Sequence, residues 1–260
     1  MTTPATRAVP AFPAVLVTRP QRQAQALAKR IVQAGMGAVV FPTLEIVPVA
    51  PVRPAAGQYD CVVFISANAV EHGWQHAFGD DALPSGPRVA AIGEATATAL
   101  RARGAADPLV PAETFDTESL LALPDFESVA GWRVLVVRGV GGREALAASL
   151  QARGATVDYL ECYRRVRPDV DAAWLIEKWR DGGVDAVNAM STETLSNLLA
   201  LLGVGGDRLV AATPVFVPHS RIATAARALG VDRTVVYGGV DAGLVERLRA
   251  HFPQRMTSPS

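Results

Sequence analysis

One pattern recurs along the chain: a short apolar run, a polar or small residue, a stretch with apolar positions at helical spacing, then glycine. VLVTRP at 15–20 precedes a segment in which Ala24, Leu27, Ala28 and Ile31 fall at i, i+3, i+4 and i+7, one face of a helix, and Gly35 closes it. VLVVRG at 134–139 precedes a helical stretch carrying Leu146 and Leu150, closed by Gly154, each matching position 119 residues later. YDCVVFIS at 59–66 answers to VDAVNAMS at 184–191 at an offset of 125, so that Ser66 matches Ser191, and Val70 and Trp74 match Leu195 and Leu199. RVAAIG at 88–93 answers to PVFVPH at 214–219, and the helices that follow end at Gly104 and Gly230, an offset of 126.

Each copy, about 15–124 and 134–249, therefore holds five strand signals alternating with helical ones, which predicts an α/β fold of doubly wound parallel sheets. A simple tandem would carry its proline-rich spacer between the copies. Instead IVPVAPVRPAAG at 46–57 follows the second strand of the first copy, and YRRVRPDVD at 163–171 stands at the same place in the second. Proline excludes helix just before it, so both segments read as extended crossings. Each domain then takes its first two strands from one copy and the rest from the other: two doubly wound domains from an internal duplication with swapped connectivity, joined by a two-stranded hinge. The expected boundaries are 1–46 with 170–260 for the first domain, 52–164 for the second, and 47–51 and 165–169 for the hinge strands. A cleft between two mobile lobes follows from that layout.

Composition narrows the chemistry. Of 260 residues half are apolar, and 25 basic residues balance 25 acidic ones, so the excess positive charge of a general nucleic-acid binder is absent. Lysine occurs only at Lys29 and Lys178, which disfavours Schiff-base chemistry. Cys61 and Cys162 lie in apolar runs without C-x-x-C spacing and read as core residues. His72 and His76 stand at i, i+4 but have no carboxylate or third ligand beside them, so no metal site is expected. No uncharged apolar run approaches the roughly 18 residues of a membrane span, and the N-terminal MTTPATRAVPAFP has no apolar core of a leader. A cytoplasmic protein that does not act on membranes is expected.

Candidate chemistry gathers where strands end and helices begin. Ser66 and Ser191 occupy equivalent junctions, where a hydroxyl either caps helix N–H groups or binds a substrate carboxylate. Asn68, Thr192 and Ser220 fall in the first turns of such helices and join the candidate binding set. Neither junction serine lies in G-x-S-x-G, which removes a hydrolase nucleophile. Arg19 and Arg138 end equivalent strands and either grip a carboxylate in bidentate fashion or form structural bridges. Arg221 in a first helical turn opposes the helix dipole unless an anion is close, which points to a bound carboxylate. RGVGGRE at 138–144 lacks both the G-x-G-x-x-G spacing and the terminal G-K-[ST] of nucleotide loops.

The segments VLVTRP, FPTLEI, FISANAV, AIGEATATAL and ECYRRVRP, in this order and spacing, resemble the uroporphyrinogen-III synthase family over residues 14–250. The resemblance implies two α/β domains joined by a two-stranded ladder and a monomer without cofactor. It implies a hydro-lyase of haem and tetrapyrrole biosynthesis that closes hydroxymethylbilane, a linear tetrapyrrole polycarboxylate, to uroporphyrinogen III. Water is lost and the last pyrrole ring is inverted, through a spiro intermediate. It makes Tyr163 the proton donor to the leaving hydroxyl, a role a phenol of ordinary pKa about 10 can fill while still protonated; a tyrosine that only packs the hinge is the competing reading. It also places Thr96 and Gly93 on the cleft, with a plain helix-interior threonine as the alternative. In the second copy VPHSRIATAA sets His219 in the place of Gly93, and Arg221 and Ile222 in the place of the small and hydroxyl residues the resemblance leads one to expect.

Such a reaction needs positioning more than a conspicuous catalytic cluster, because an electron-rich pyrrole expels the neighbouring hydroxyl readily. The substrate's many carboxylates would be met by helix N-termini, whose first N–H groups are free. A non-catalytic two-lobed protein that closes on a small anion is the alternative reading.

Overall fold

The computed structural model describes residues 12–52, 59–79, 86–112, 116–142 and 144–255. Along the chain these form β1 (Ala14–Val17), α1 (Gln21–Gln33), β2 (Gly37–Val40), β3 (Glu45–Pro48), β4 (Cys61–Phe64), α2 (Ala67–Phe78), β5 (Arg88–Ala91), α3 (Glu94–Arg101) and α4 (Thr117–Leu121). There follow β6 (Arg133–Gly139), α5 (Ala145–Ala152), β7 (Thr156–Val166), α6 (Ala173–Arg180), β8 (Ala186–Asn188), α7 (Thr192–Leu202), α8 (Gly206–Ala212), β9 (Val215–Val217), α9 (Ser220–Ala228), β10 (Thr234–Val236) and α10 (Asp241–His251). The chain divides into two compact units, Met1–Glu45 with Val166–Ser260, and Ile46–Arg165.

The first unit's sheet has the order β10-β9-β8-β1-β2 and the second's β3-β7-β6-β4-β5. The pairs β1·β2, β1·β8, β8·β9 and β9·β10 of the first sheet and β4·β5, β4·β6 and β6·β7 of the second are parallel. The swapped connectivity is thus plain: the first unit joins β1 and β2 of one copy to β8, β9 and β10 of the other, and the second joins β6 and β7 to β4 and β5. The fold class read from the duplication holds. One strand falls short of it: the last strand signal of the first copy is a single bridge, Leu109 to Ala90. Pro108 and Pro111 flank it, and proline has no N–H with which to extend a ladder. The opposite edge of that sheet gains β3, whose continuation, the Val49 N–H, donates to the Cys162 carbonyl at 3.1 Å.

Parallel sheets are covered on both faces, which is why their strands read as unbroken apolar runs. Val15, Leu16 and Val17 are fully buried, and side chains alternate between faces. On one face of the first sheet Leu16, Val187, Val215 and Val217 pack with Leu175, Leu195, Leu198, Val210 and Ile222 of α6 to α9. On the other, Val15, Val17, Ala186 and Phe216 pack with Ala24, Leu27 and Ile31 of α1 and Leu244 and Leu248 of α10. The second sheet repeats the plan: Phe64, Leu135 and Val137 face Val70 and Trp74 of α2 and Leu100 of α3, while Val63, Val134 and Val136 face Leu120 of α4 and Leu146 and Leu150 of α5. Gly35 and Gly154, with φ of 83° and 88°, end α1 and α5 at equivalent points of the two copies in the left-handed conformation glycine adopts without steric cost.

Gly73 sets how closely α2 approaches the second sheet. A Cβ there would lie 2.3 Å from Val137 Cγ1 and 2.9 Å from Cys162 Sγ. Gly73→Ala would gain about 1 kcal/mol of helix propensity, yet overpacking costs about 1–3 kcal/mol, and both neighbours are buried β-strand residues that cannot yield cheaply. A net loss of stability is expected, read as a lower denaturation midpoint at unchanged slope; a variant as stable as the parent would contradict this packing.

Candidate functional site

Because the strands run parallel, the helices that follow β1, β4, β5, β6, β8, β9 and β10 all start at the carboxyl edge of their own sheet. In the second unit the strand order reverses between β6 and β4, the place where open α/β sheets bind ligands. The residues at that point are Arg138 and Gly139 on one side and Ser66 on the other.

Tyr163 is brought there by an irregularity. Down β6 and β7 the register is even to Arg138↔Glu161, then shifts so that Gly139 pairs with Tyr163 and Cys162 is passed over. Bulges of this kind re-aim side chains beside functional sites. The Val140 N–H donates to the Tyr163 carbonyl at 2.8 Å, fixing the backbone beyond the shift. The ring lies directly on Gly139, where a Cβ would come within 2.7 Å of Cε2 and 2.8 Å of Cζ. Tyr163 is 3 % exposed, and its hydroxyl is 3.0 Å from Ser66 Oγ. Ser66 Oγ also accepts from the Ala69 N–H at 3.1 Å, capping α2. The His72 ring stands 6.1 Å from the Tyr163 ring, and His76 is exposed. Tyr163 and Ser66, two residues 97 positions apart, are therefore one hydrogen-bonded pair.

Other expected residues flank it. Asn68 is half-buried in the first turn of α2. Gly93 is the N-cap of α3 in extended backbone and offers no side-chain cap, so the first amides of that helix are left open; Thr96 is buried on α3. Burial pushes the Cys162 thiol up to about 11 and the Cys61 thiol up to about 12, so both stay protonated at neutral pH as core residues.

Arg138, 6 % exposed, is held by its own chain. Its Nε donates to Glu161 Oε1 at 3.1 Å, Nη1 to Glu144 Oε1 at 2.9 Å and to the Gly142 carbonyl at 3.3 Å, and the guanidinium stacks 3.6 Å from the Tyr159 ring centroid. Tyr159 donates to Glu144. Burial first, and that bond second, push Tyr159 up to about 12. Glu144 is held below the usual carboxylate range by Tyr159 first and by Arg138 second.

In the first unit the corresponding arginine is similarly engaged. Arg19 Nε donates to Asn188 Oδ1 at 3.3 Å, and Nη2 lies 2.7 Å from Asp241 Oδ1, an ion pair without hydrogen-bond alignment. Asn188 Nδ2 donates to the Tyr237 hydroxyl at 3.5 Å, and that hydroxyl sits 3.0 Å from Met190 Sδ. Burial raises the Tyr237 pKa. The sequence reading missed Asn188, Tyr237 and Asp241; the one available signal was an asparagine in the otherwise apolar run AVNAM. Ser191 caps α7 in a reciprocal box with Thr194, beside the exposed Thr192. Ser220 and Arg221 are exposed in the first turn of α9, whose N-cap His219 makes no side-chain cap bond.

A doubled, swapped α/β scaffold with a tyrosine–serine pair at one switch point narrows the possible relatives, and comparison with known proteins decides among them. Residues 25–238 match the family model described as uroporphyrinogen-III synthase HemD. The chain belongs to the uroporphyrinogen-III synthase family.

A uroporphyrinogen-III synthase of Salmonella typhimurium is 36% identical over 194 residues, covering 72% of this chain and 79% of that protein. The Escherichia coli enzyme of the same name is 34% identical over 195 residues, with 72% and 79% covered. Among solved structures, the synthetase of Helicobacter pylori superposes with a TM-score of 0.60 at 12% identity, covering 92% of this chain and 100% of that one. A mutant synthase of Thermus thermophilus gives 0.58 at 18% identity, covering 94% and 98%. These two likenesses establish the shared fold; the family rests on the sequence matches. For a family member the second unit's switch point therefore merits the closest test. Gly139→Ala is expected to displace the Tyr163 ring and to cost about 1–3 kcal/mol of stability. Most of that cost should vanish when Tyr163 is also alanine, since the clash is with that ring; an undiminished cost in the double variant would contradict the contact.

Proposed function

We propose that this chain is a lyase that closes hydroxymethylbilane to uroporphyrinogen III, expelling water and inverting the last pyrrole ring, and that it acts as a monomer without cofactor. The observation that carries this reading is the family match across both α/β units, joined to the Tyr163–Ser66 pair at the switch point. The pyrrole's own electrons drive loss of the hydroxyl, and the protein's task is to assist that departure and to fix which carbon is attacked.

In this reading Tyr163 supplies the proton to the leaving hydroxyl. Carboxylates of the substrate meet amides at helix starts that carry no side-chain cap, those after Gly93 and His219. Asn68, Thr96, Ser191, Thr192, Ser220 and Arg221 supply side-chain donors around them. Arg138 and Arg19 already carry carboxylates of their own chain, so they brace the two edges, and a substrate carboxylate would have to displace Glu144 or Asp241 to reach them.

With hydroxymethylbilane generated enzymatically in the same tube, the chain should yield the inverted isomer faster than the unassisted chain closes to the uninverted one. Product of the uninverted isomer alone, at the unassisted rate, would leave a binding or sensing role instead. Tyr163→Phe should lower turnover by about 10²-fold, the usual scale of general acid assistance; full turnover would remove Tyr163 from the chemistry.

A further inference from the structure

A buried acid needs an exit for its proton. Tyr163 is 3 % exposed, and its hydroxyl is directed at Ser66 Oγ, 3.0 Å away. Ser66 is half-buried, so it is the more accessible end of the pair. A serine hydroxyl has two acceptor sites and one donor. The Ala69 N–H fills one acceptor site; when Tyr163 is the donor across the 3.0 Å contact, its proton fills the other. The serine's own O–H is then the donor left over, at the strand-to-helix junction.

In the other copy the equivalent position is a helix cap with a different partner. Ser191 fills the same place before α7, but its partner there is Thr194 in a reciprocal box, and the residue matching Tyr163 at the offset of 119 is Leu44. In the first copy the box is broken, because Ala69 stands where Thr194 does, and Ser66 is paired with a tyrosine from another strand instead.

We propose that Ser66 delivers the proton: Tyr163 and Ser66 form a two-proton relay from the buried phenol to the substrate's leaving hydroxyl. This rests on the reading of Tyr163 as the acid. As the carbon–oxygen bond breaks, the electron pair stays on the departing oxygen, which takes the Ser66 proton and leaves as water. Ser66 takes the Tyr163 proton, and the negative charge comes to rest on the phenol oxygen beside the start of α2, where the free N–H groups and the helix dipole favour an anion. When the inverted ring later sheds its proton to regain aromaticity, that proton returns along the same path. Atoms and charge balance with water as the only by-product.

The test measures single-turnover rates of uroporphyrinogen III formation from enzymatically generated hydroxymethylbilane, with substrate affinity and thermal melting recorded for each variant. Ser66→Ala and Ser66→Asn, the second keeping a good N-cap without the hydroxyl, should both slow turnover tenfold or more, within the usual range for proton-transfer assistance, at unchanged affinity. Ser66→Thr should restore it. Ser66→Ala combined with Tyr163→Phe should be no slower than Tyr163→Phe alone, and the rate against deuterium fraction should curve in the parent and straighten in Ser66→Ala. Parental rates in Ser66→Ala and Ser66→Asn beside a slow Tyr163→Phe would overturn the relay and leave Tyr163 as a direct donor. Losses that multiply in full in the double variant, or a Ser66→Thr as slow as Ser66→Ala, would overturn it as well. A parental rate in Tyr163→Phe would overturn both the relay and the reading beneath it.

Discussion

Everything functional in this protein follows from the parallel alignment of its strands. Parallel neighbours are joined by crossovers, and among the described residues seven strands, β1, β4, β5, β6, β8, β9 and β10, are followed by a helix that starts at the carboxyl edge. Burying both faces of the sheet is what holds that alignment: Val15, Leu16, Val17, Cys61, Val63, Phe64, Val134 and Val137 are all fully buried. The edge left over collects unpaired helix N–H groups, which is the property a polycarboxylate ligand requires. A chain of zero net charge can thus still offer sites for many anions, because the donors are backbone amides and not basic side chains.

Duplication supplies two such edges, and divergence has made them unequal. Both strands β1 and β6 lead to a buried arginine, and each arginine is tied down by carboxylates of its own unit. Those pairs are partly exposed at the carboxylate end, so their value is in fixing loops more than in stability. Among the described residues, the register shift at Arg138/Gly139 and the tyrosine that reaches a helix-capping serine are both in the second unit. The same scaffold carries an Arg19–Asn188–Asp241 cluster in one unit and a tyrosine–serine pair in the other.

The sequence made the fold legible because its signals are local. Apolar runs bounded by Ser66, Ser191 or glycine mark strand ends, Gly35 and Gly154 mark helix ends, and two proline-bearing crossings at one place in each copy reveal the exchange of strands. Signals that depend on distant residues were not visible. The shift that turns Tyr163 onto Gly139 has no periodicity to announce it, and its partner Ser66 is 97 positions away. The partners of Arg19, at Asn188 and Asp241, likewise emerge only once β1 and β8 lie side by side. For Ser66 and Ser191 the choice between capping and a further role was open in the sequence, and both turn out to cap their helices.

The central claim is that a polycarboxylate is received by amides at the carboxyl edges of the sheets. Amide hydrogen exchange with and without bound product tests it directly, since amides engaged by a ligand are protected from opening and exchange. Slowed exchange is predicted at the starts of α3 and α9, at residues 94–95 and 220–221, whose helices carry no side-chain cap. Protection found instead at the opposite edge of the second sheet, around Arg88, Ala105 and Asp107, would contradict the account.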